Sequence, residues 1–305
     1  MVASGLYEGE NLSGLELFAM WEVEGFITGL HKSPFHGFSV EFSEHRLYNP
    51  GDTIKHIDWK LYGKSEKLFS KRYVEETNLR CQFILDVSSS MYYPQKAESK
   101  LHFSIKCIAS LIYLLKKQRD AFGLSLFSDK LMLSTPTKST TVHQKLLISY
   151  LEELLAKDNK GVKTNISAAL HLIADQIHKR SLVIVFSDLL ETFSDDSSQN
   201  SLFDALQHLK YNKHEVLLFN VVDRESEVNF NFENRPYTFI DLESGQQVKA
   251  QPIQIKEAYH QRMNDFRTSI QQRSAQLKID LIDADIQSGV KSVLESYLIK
   301  RRKLN

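Results

Sequence analysis

The sequence predicts an α/β protein with a doubly wound, mostly parallel sheet and a small, partly β N-terminal subdomain. From about residue 80 onward, short apolar runs that are typical of buried strands alternate with longer segments of helical periodicity. Strands that alternate with helices form parallel sheets whose two faces are covered. The first eighty residues lack this alternation. We therefore assign residues 1–79 to a separate subdomain and residues 80–305 to the α/β domain.

Each predicted element of the larger domain is an apolar run or an amphipathic segment. In chain order they are strand 81–85, helix 101–115, strands 122–127 and 131–133, helices 142–154 and 166–177, strand 182–187, helix 202–209, strand 216–222, helix 259–270, strand 279–282 and helix 290–298. The run 131–133 follows its neighbour after a short polar turn, so it should pair antiparallel with it at or near an edge of the sheet. The segment from about 224 to 252 breaks the alternation and is interpreted as a β-rich insertion.

Composition indicates a globular chain with no strong charge bias. Hydrophobic residues make up 42% of the 305 residues, and 38 Lys and Arg balance 38 Asp and Glu. Cys81 and Cys107 lie in apolar segments, so we expect buried, reduced thiols rather than a disulfide framework. The N-terminus lacks the pattern of a signal peptide, and the longest apolar run, 107–115, is too short to span a membrane. We expect a cytoplasmic protein without a membrane span.

The most informative motif is Asp86-Val87-Ser88-Ser89-Ser90, which directly follows the predicted strand 81–85. It offers a carboxylate and two hydroxyls at alternate positions, all of them hard oxygen ligands of the kind that Mg²⁺, Mn²⁺ and Ca²⁺ prefer. Two further oxygen ligands follow a similar logic, because Thr164 stands just before a predicted helix and Asp188 ends a predicted strand. The candidate ligands of a divalent cation are Asp86, Ser88, Ser90, Thr164 and Asp188.

Taken alone, Asp-x-Ser-x-Ser has an ordinary alternative interpretation as a helix cap, since Asp and Ser favour caps and turns. The positions of the three loops favour a binding site instead. In open α/β sheets, ligands bind outside the carboxyl ends of the strands, at the point where the strand order reverses.

With these motifs in order, residues 80–305 resemble a von Willebrand factor A domain. The candidate ligands match that family's metal-ion-dependent adhesion site (MIDAS) at Asp86, Ser88, Ser90, Thr164 and Asp188. The N-terminal part resembles the bacterial domain-of-unknown-function family 58 through Tyr48-Asn49-Pro50-Gly51-Asp52, Ile57-Asp58-Trp59-Lys60 and the run 68–76 that leads to the Asp86 strand. Many A domains have Gly after the last of these Asp residues, whereas this chain has Leu189, so we expect Asp188 to contact the ion through water.

The resemblance implies a protein-binding module that depends on Mg²⁺, or on Mn²⁺ or Ca²⁺, rather than an enzyme. Proteins of this family are commonly linked to MoxR-type AAA+ ATPases, which implies an adaptor between such an ATPase and a client protein. A site with mostly neutral ligands keeps an exchangeable water that an Asp or Glu of a partner can replace.

Two alternatives remain open at this point. The same oxygens could serve a metal-dependent phosphoester hydrolase, although the sequence supplies no evident nucleophile or general base beside them. An RNA-binding role is the other alternative, against which stand the zero net charge and the lack of a long basic, aromatic-interleaved stripe. The short basic run Lys300-Arg301-Arg302-Lys303 is interpreted as a solvated helix end, where cations suit the helix dipole.

Overall fold

The structure is a computed structural model that describes residues 12–31, 44–47, 62–63, 67–72, 79–94, 98–156, 164–193 and 196–304. The chain divides into two compact units, one made of Met1–Phe26 and Leu79–Asn305 and the other of Ile27–Asn78. In the smaller unit, strands β1 (Glu44–Leu47) and β2 (Phe69–Arg72) pair antiparallel.

Helix α1 (Gly14–His31) begins inside the larger unit. It starts with a reciprocal pair of bonds in which the Ser13 amide donates to Glu16 and the Glu16 amide donates to the Ser13 hydroxyl, a capping box. Its apolar residues Leu15, Ala19, Val23 and Phe26 recur at helical spacing and are buried. The segment 1–79, treated above as one subdomain, is thus divided between the two units because this amphipathic face packs within the larger one.

The larger unit contains the remaining described strands and helices. The strands are β3 (Arg80–Asp86), β4 (Ala121–Phe127), β5 (Leu131–Ser134), β6 (Leu182–Ser187), β7 (Glu215–Val222), β8 (Tyr237–Ile240), β9 (Gln247–Ala250) and β10 (Asp280–Asp285). The helices are α2 (Lys100–Lys117), α3 (Thr141–Ala156), α4 (Ile166–Gln176), α5 (Asp196–Tyr211), α6 (Pro252–Gln276) and α7 (Val290–Leu304). No described helix is long and apolar enough to cross a membrane.

Six of these strands form one sheet in the order β10-β7-β6-β3-β4-β5. All neighbours pair parallel except β5, which lies antiparallel to β4 at an edge of the sheet. The predicted doubly wound, mostly parallel α/β fold is therefore confirmed, together with the edge position of the run 131–133. Within this sheet the chain passes first through β3, then outward to β4 and β5, and then returns to β6 on the other side of β3. The strand order therefore reverses between β3 and β6.

The central strands and α2 form the core, as their apolar sequences predict. Every residue of β6 is buried, and so are both cysteines, Cys81 in β3 and Cys107 in α2, as free thiols. The insertion at 224–252 begins with a π-helical turn, Arg224–Val228, and continues as the antiparallel hairpin β8–β9.

In the basic C-terminal run, Lys300 and Arg301 do not form the solvated helix end that the sequence indicated. Lys300 is only 6% exposed and forms ion pairs with Glu215 and Asp280, at 2.8 and 2.9 Å. Arg301 donates to the buried carboxylate of Asp120 and to the hydroxyl of Tyr297. These two cations are therefore not solvated but attach α7 to the sheet through their partners.

Gly123 in β4 lies where the sheet is closely packed, and its replacement by alanine tests this packing. A Cβ at this position would meet the Gln82 side chain and lie 2.9 Å from the backbone oxygen of Thr135. We expect Gly123→Ala to lower the free energy of unfolding by about 1–3 kcal/mol, as overpacking does. Urea denaturation followed by circular dichroism measures the change.

The matched control for this substitution is Gly25→Ala. Gly25 lies in α1, and no atom in the described part of the chain comes within 4 Å of its added Cβ. Since alanine is the better helix former, this variant should gain up to about 1 kcal/mol. Equal effects of the two substitutions would contradict the packing argument.

Candidate metal centre

Asp86 lies at the carboxyl end of β3 and is fully buried. Its Oδ1 accepts the backbone N–H of Ser88 at 2.9 Å, and its Oδ2 accepts the hydroxyl of Ser187 at 2.7 Å. Ser187 is the last residue of β6, the parallel neighbour of β3. The carboxylate is therefore held from both sides at the point where the strand order reverses.

The hydroxyls of Ser88 and Ser90 lie 3.0 Å apart, and both side chains are buried. The loop positions them by turning directly into a 3₁₀ helix, Ser89–Tyr92. Ser88 precedes this helix without capping it through its side chain. Its oxygen is therefore not used by the helix start, and the two hydroxyls form a pair beside Asp86.

Asp188 follows β6 and forms an ion pair with a lysine side chain of the same chain. Its Oδ2 lies 2.7 Å from Nζ of Lys100, a fully buried residue at the start of α2. The same Nζ lies 2.6 Å from Oε1 of Glu227, which the π-helical turn after β7 supplies. Burial alone would lower the pKa of Lys100, but Asp188 and Glu227 outweigh it and hold the pKa above its ordinary value. Lys100 is therefore a fixed ammonium.

The charges of this site act on one another. Burial, and next the charge of Asp188, raise the pKa of Asp86 to about 7, although hydrogen bonds from Ser88 and Ser187 oppose the rise. Burial likewise raises the pKa of Glu227, and the ion pair with Lys100 only partly offsets it. A cation added here would relieve the cost of burying these carboxylates.

Thr164 lies two residues before α4, and Asn165 caps that helix through its side chain. The Thr164 hydroxyl donates to Oε1 of Glu243 at 2.9 Å, and Glu243 lies in the turn between β8 and β9. Burial raises the pKa of Glu243, and the charge of Asp188 adds to the rise while Thr164 opposes it. Thr164 therefore contacts a carboxylate of the insertion, and the charge of Asp188 acts on that same carboxylate.

The donor set fits a hard divalent cation. Asp188 and Glu227 share the ammonium of Lys100, whereas Asp86 and Glu243 accept hydrogen bonds from neutral amide and hydroxyl groups. In the described ranges, no three His, Cys, Asp or Glu side chains group so as to hold a metal by themselves. The groups that suit a divalent cation are therefore the hydroxyl oxygens together with the Asp86 carboxylate. Because Lys100 already occupies one oxygen of Asp188, an indirect contact remains the expectation for that residue.

Three residues of this arrangement were not predicted from the sequence: Lys100, Glu227 and Glu243. Their partners lie 79 to 127 positions away in the chain, so no local pattern identifies them. The one available signal is that the insertion interrupts the α/β alternation directly after β7, a strand whose carboxyl end lies beside the site.

Known proteins resemble this chain at low identity. An uncharacterized protein from Mycobacterium tuberculosis is 21% identical over 179 residues, which are 59% of this chain and 56% of that protein. The chain thus spans about half the length of the curated relatives it matches.

Among solved structures, BatB from Bacteroides thetaiotaomicron has 14% identity and a TM-score of 0.46, over 74% of this chain and 99% of that chain. The VWA domain of SpRpn10 has 12% identity and a TM-score of 0.32, over 48% of this chain and 76% of that chain.

A family model gives the assignment. The model described as "Protein of unknown function DUF58" matches residues 44–269, well over half of the chain. This confirms the resemblance drawn from the N-terminal motifs and the Asp86 strand. The chain belongs to the DUF58 family.

Proposed function

We propose that the protein is a protein-binding module that recognises an acidic side chain of its partner through a Mg²⁺ ion. Asp86, Ser88, Ser90 and Thr164 would hold the ion, with Asp188 contacting it through water. The observation that supports the proposal best is the hydrogen-bonded group of Asp86, Ser88 and Ser90 at the reversal of strand order.

The ligand chemistry suits binding better than catalysis. When bound, a divalent cation held largely by neutral hydroxyls supplies an electron-poor centre with an exchangeable water. Asp86 is fixed by two hydrogen bonds, so the chain's own part of the site is already arranged. Lys100 stays protonated between two carboxylates and therefore cannot serve as a general base. We propose accordingly that the protein is not an enzyme.

The proposed partner is a MoxR-type AAA+ ATPase in the cytoplasm, with this chain as adaptor to a client protein. The family resemblance supports this choice. Partner exchange at the ion would move the loop of Ser88 and Ser90, which continues through the 3₁₀ turn toward α2.

The test is capture of partners from a native lysate by the tagged full chain, with Mg²⁺ or with EDTA, and their identification by mass spectrometry. We expect the tagged chain to retain an AAA+ ATPase in the presence of Mg²⁺. The amount of ATPase retained should fall about tenfold or more in the Ser88→Ala/Ser90→Ala variant. The reason is that this variant removes two neutral ligands without unpairing a buried charge.

Ser110→Ala is the matched control. The Ser110 hydroxyl is buried in α2 and has no hydrogen-bond partner among the described residues, so its removal should leave capture unchanged. A partner held equally well in EDTA, or by the Ser88→Ala/Ser90→Ala variant, would contradict the metal-dependent mode of binding.

A further inference from the structure

The insertion delivers one carboxylate directly to a candidate ligand, Thr164. Glu243 lies in the turn between β8 and β9, and its Oε1 accepts the Thr164 hydroxyl at 2.9 Å. Glu243 is half-buried, whereas Asp241, Ser244 and Gly245 of the same turn are exposed. The tip of the hairpin is thus in solvent, but this acidic side chain reaches the Thr164 hydroxyl.

The turn is built to hold Glu243 in place. The Glu243 amide donates to Oδ1 of Asp241 at 3.0 Å, and the Gly245 amide donates to the Asp241 backbone oxygen at 2.8 Å. Gly245 adopts a φ of +73°, a conformation that glycine accepts without strain. Because the turn is preformed, the carboxylate is presented at little further entropic cost.

The hairpin is attached at its base and loosely covered elsewhere. Phe230 is buried and packs on Tyr259 of α6 and on Phe239 of β8, with ring centroids 4.4 and 5.8 Å apart. In contrast, Ile240 and Val248 near the tip are 54% and 62% exposed. Little apolar burial therefore holds the tip down, so the contact between Glu243 and Thr164 can open while the base stays packed.

We propose that Glu243 is an internal ligand that occupies the position of the partner's carboxylate, so that the hairpin tip must leave before an acidic partner binds. This inference rests on the proposed function. A partner carboxylate and Glu243 carry the same charge and require the same donors, and two carboxylates at one site repel each other. A partner must therefore bind strongly enough to displace Glu243, and this requirement is the threshold that the insertion sets.

Tethering explains why such a threshold selects partners. A group attached by a short connection acts at an effective concentration on the order of millimolar. An isolated carboxylate of weak affinity displaces it only at high concentration, whereas a protein that also contacts the exposed hairpin displaces it at a lower one. The expected partner therefore presents an Asp or Glu together with an apolar surface for Ile240, which is 54% exposed near the tip.

The test uses Mn²⁺ as the probe and acetate as the simplest external carboxylate. Water-proton relaxation reports the exchangeable waters of Mn²⁺ bound to the full chain. We expect Glu243→Gln, which keeps an oxygen for the Thr164 hydroxyl but removes the charge, to raise the relaxation enhancement. Acetate should then lower it at a concentration at least about fivefold smaller than in the wild type.

The matched control is Glu233→Gln. Glu233 lies in the same insertion, 77% exposed and paired with Arg235, so this variant should behave as the wild type. A second readout needs no metal: amide hydrogen exchange of residues 237–250 should be about fivefold faster in Glu243→Ala, which removes the acceptor of the Thr164 hydroxyl, than in Glu233→Ala.

The outcomes separate this inference from the proposed function. If Mn²⁺ binds and is lost in Ser88→Ala/Ser90→Ala, but Glu243→Gln responds to acetate as the wild type does, the inference is overturned and the metal site stands. Weaker Mn²⁺ binding in Glu243→Gln with an unchanged acetate response would make Glu243 an ordinary permanent ligand and overturn the inference as well. Failure of the wild type to bind Mn²⁺ would overturn both proposals.

Discussion

Replacing Lys100 by methionine should lower the free energy of unfolding by about 3–5 kcal/mol, the usual effect of removing one partner of a buried ion pair. Lys100 is fully buried, and its Nζ lies 2.7 Å from Asp188 and 2.6 Å from Glu227. Methionine fills a similar volume, so the effect comes mainly from two carboxylates left without their cation. Urea denaturation without divalent cations measures the loss.

Lys106→Met is the control because it makes the same change six residues later in the same helix. Its ion pair with Glu98, at 2.8 Å, is solvated, the two side chains being 35% and 40% exposed. An exposed pair of this kind contributes about 0–1 kcal/mol. A loss in Lys100→Met no larger than in Lys106→Met would show that Lys100 is not the structural counter-ion of this site.

The fold could be predicted because its signals are local. The buried strands are continuous apolar runs and the helices show a 3.6-residue period, so type and order follow from short windows of sequence. The edge position of β5 followed from the short turn that precedes it. Three of the candidate ligands, Asp86, Ser88 and Ser90, could be placed together for the same reason, since they lie in one loop.

The charged partners could not be predicted because they depend on tertiary contacts. Lys100 meets Asp188 across 88 residues and Glu227 across 127. Arg301 meets Asp120 across 181 residues, so a helix end that is charged in sequence becomes partly buried in the fold. A charge next to an apolar helix is usually solvated, and only the fold determines which charges acquire partners.

Asp86→Asn should have two opposite effects: a gain in stability of the metal-free chain and a loss of cation affinity. Burial and the charge of Asp188 raise the pKa of Asp86 to about 7, so its ionised form is disfavoured in the fold. Asparagine keeps the acceptor for the Ser88 amide and can donate to Ser187. At pH 8 we expect a gain on the order of 2 kcal/mol, and a Mn²⁺ affinity about a hundredfold lower or worse.

The expected pH dependence of the unfolding free energy follows from the direction in which the fold shifts the pKa of Asp86. Because the pKa of Asp86 is raised in the folded chain, the fold retains a proton that the unfolded chain releases. The wild type therefore loses stability as pH rises from about 4 to about 7, and Asp86→Asn lacks this loss. The difference in unfolding free energy between the two should be larger at pH 8 than at pH 5.

Asp120→Asn makes the comparison decisive. Asp120 is also a buried aspartate, but Arg301 and the Leu79 amide donate to it, so its charge is compensated within the chain. Its neutralisation should destabilise the protein at pH 8, opposite in sign to Asp86→Asn. A carboxylate without which the metal-free fold would be more stable is what a binding site for a cation predicts, in contrast to a carboxylate such as Asp120 that the fold requires. Destabilisation by both variants would instead make Asp86 a structural residue of the β3–β6 junction.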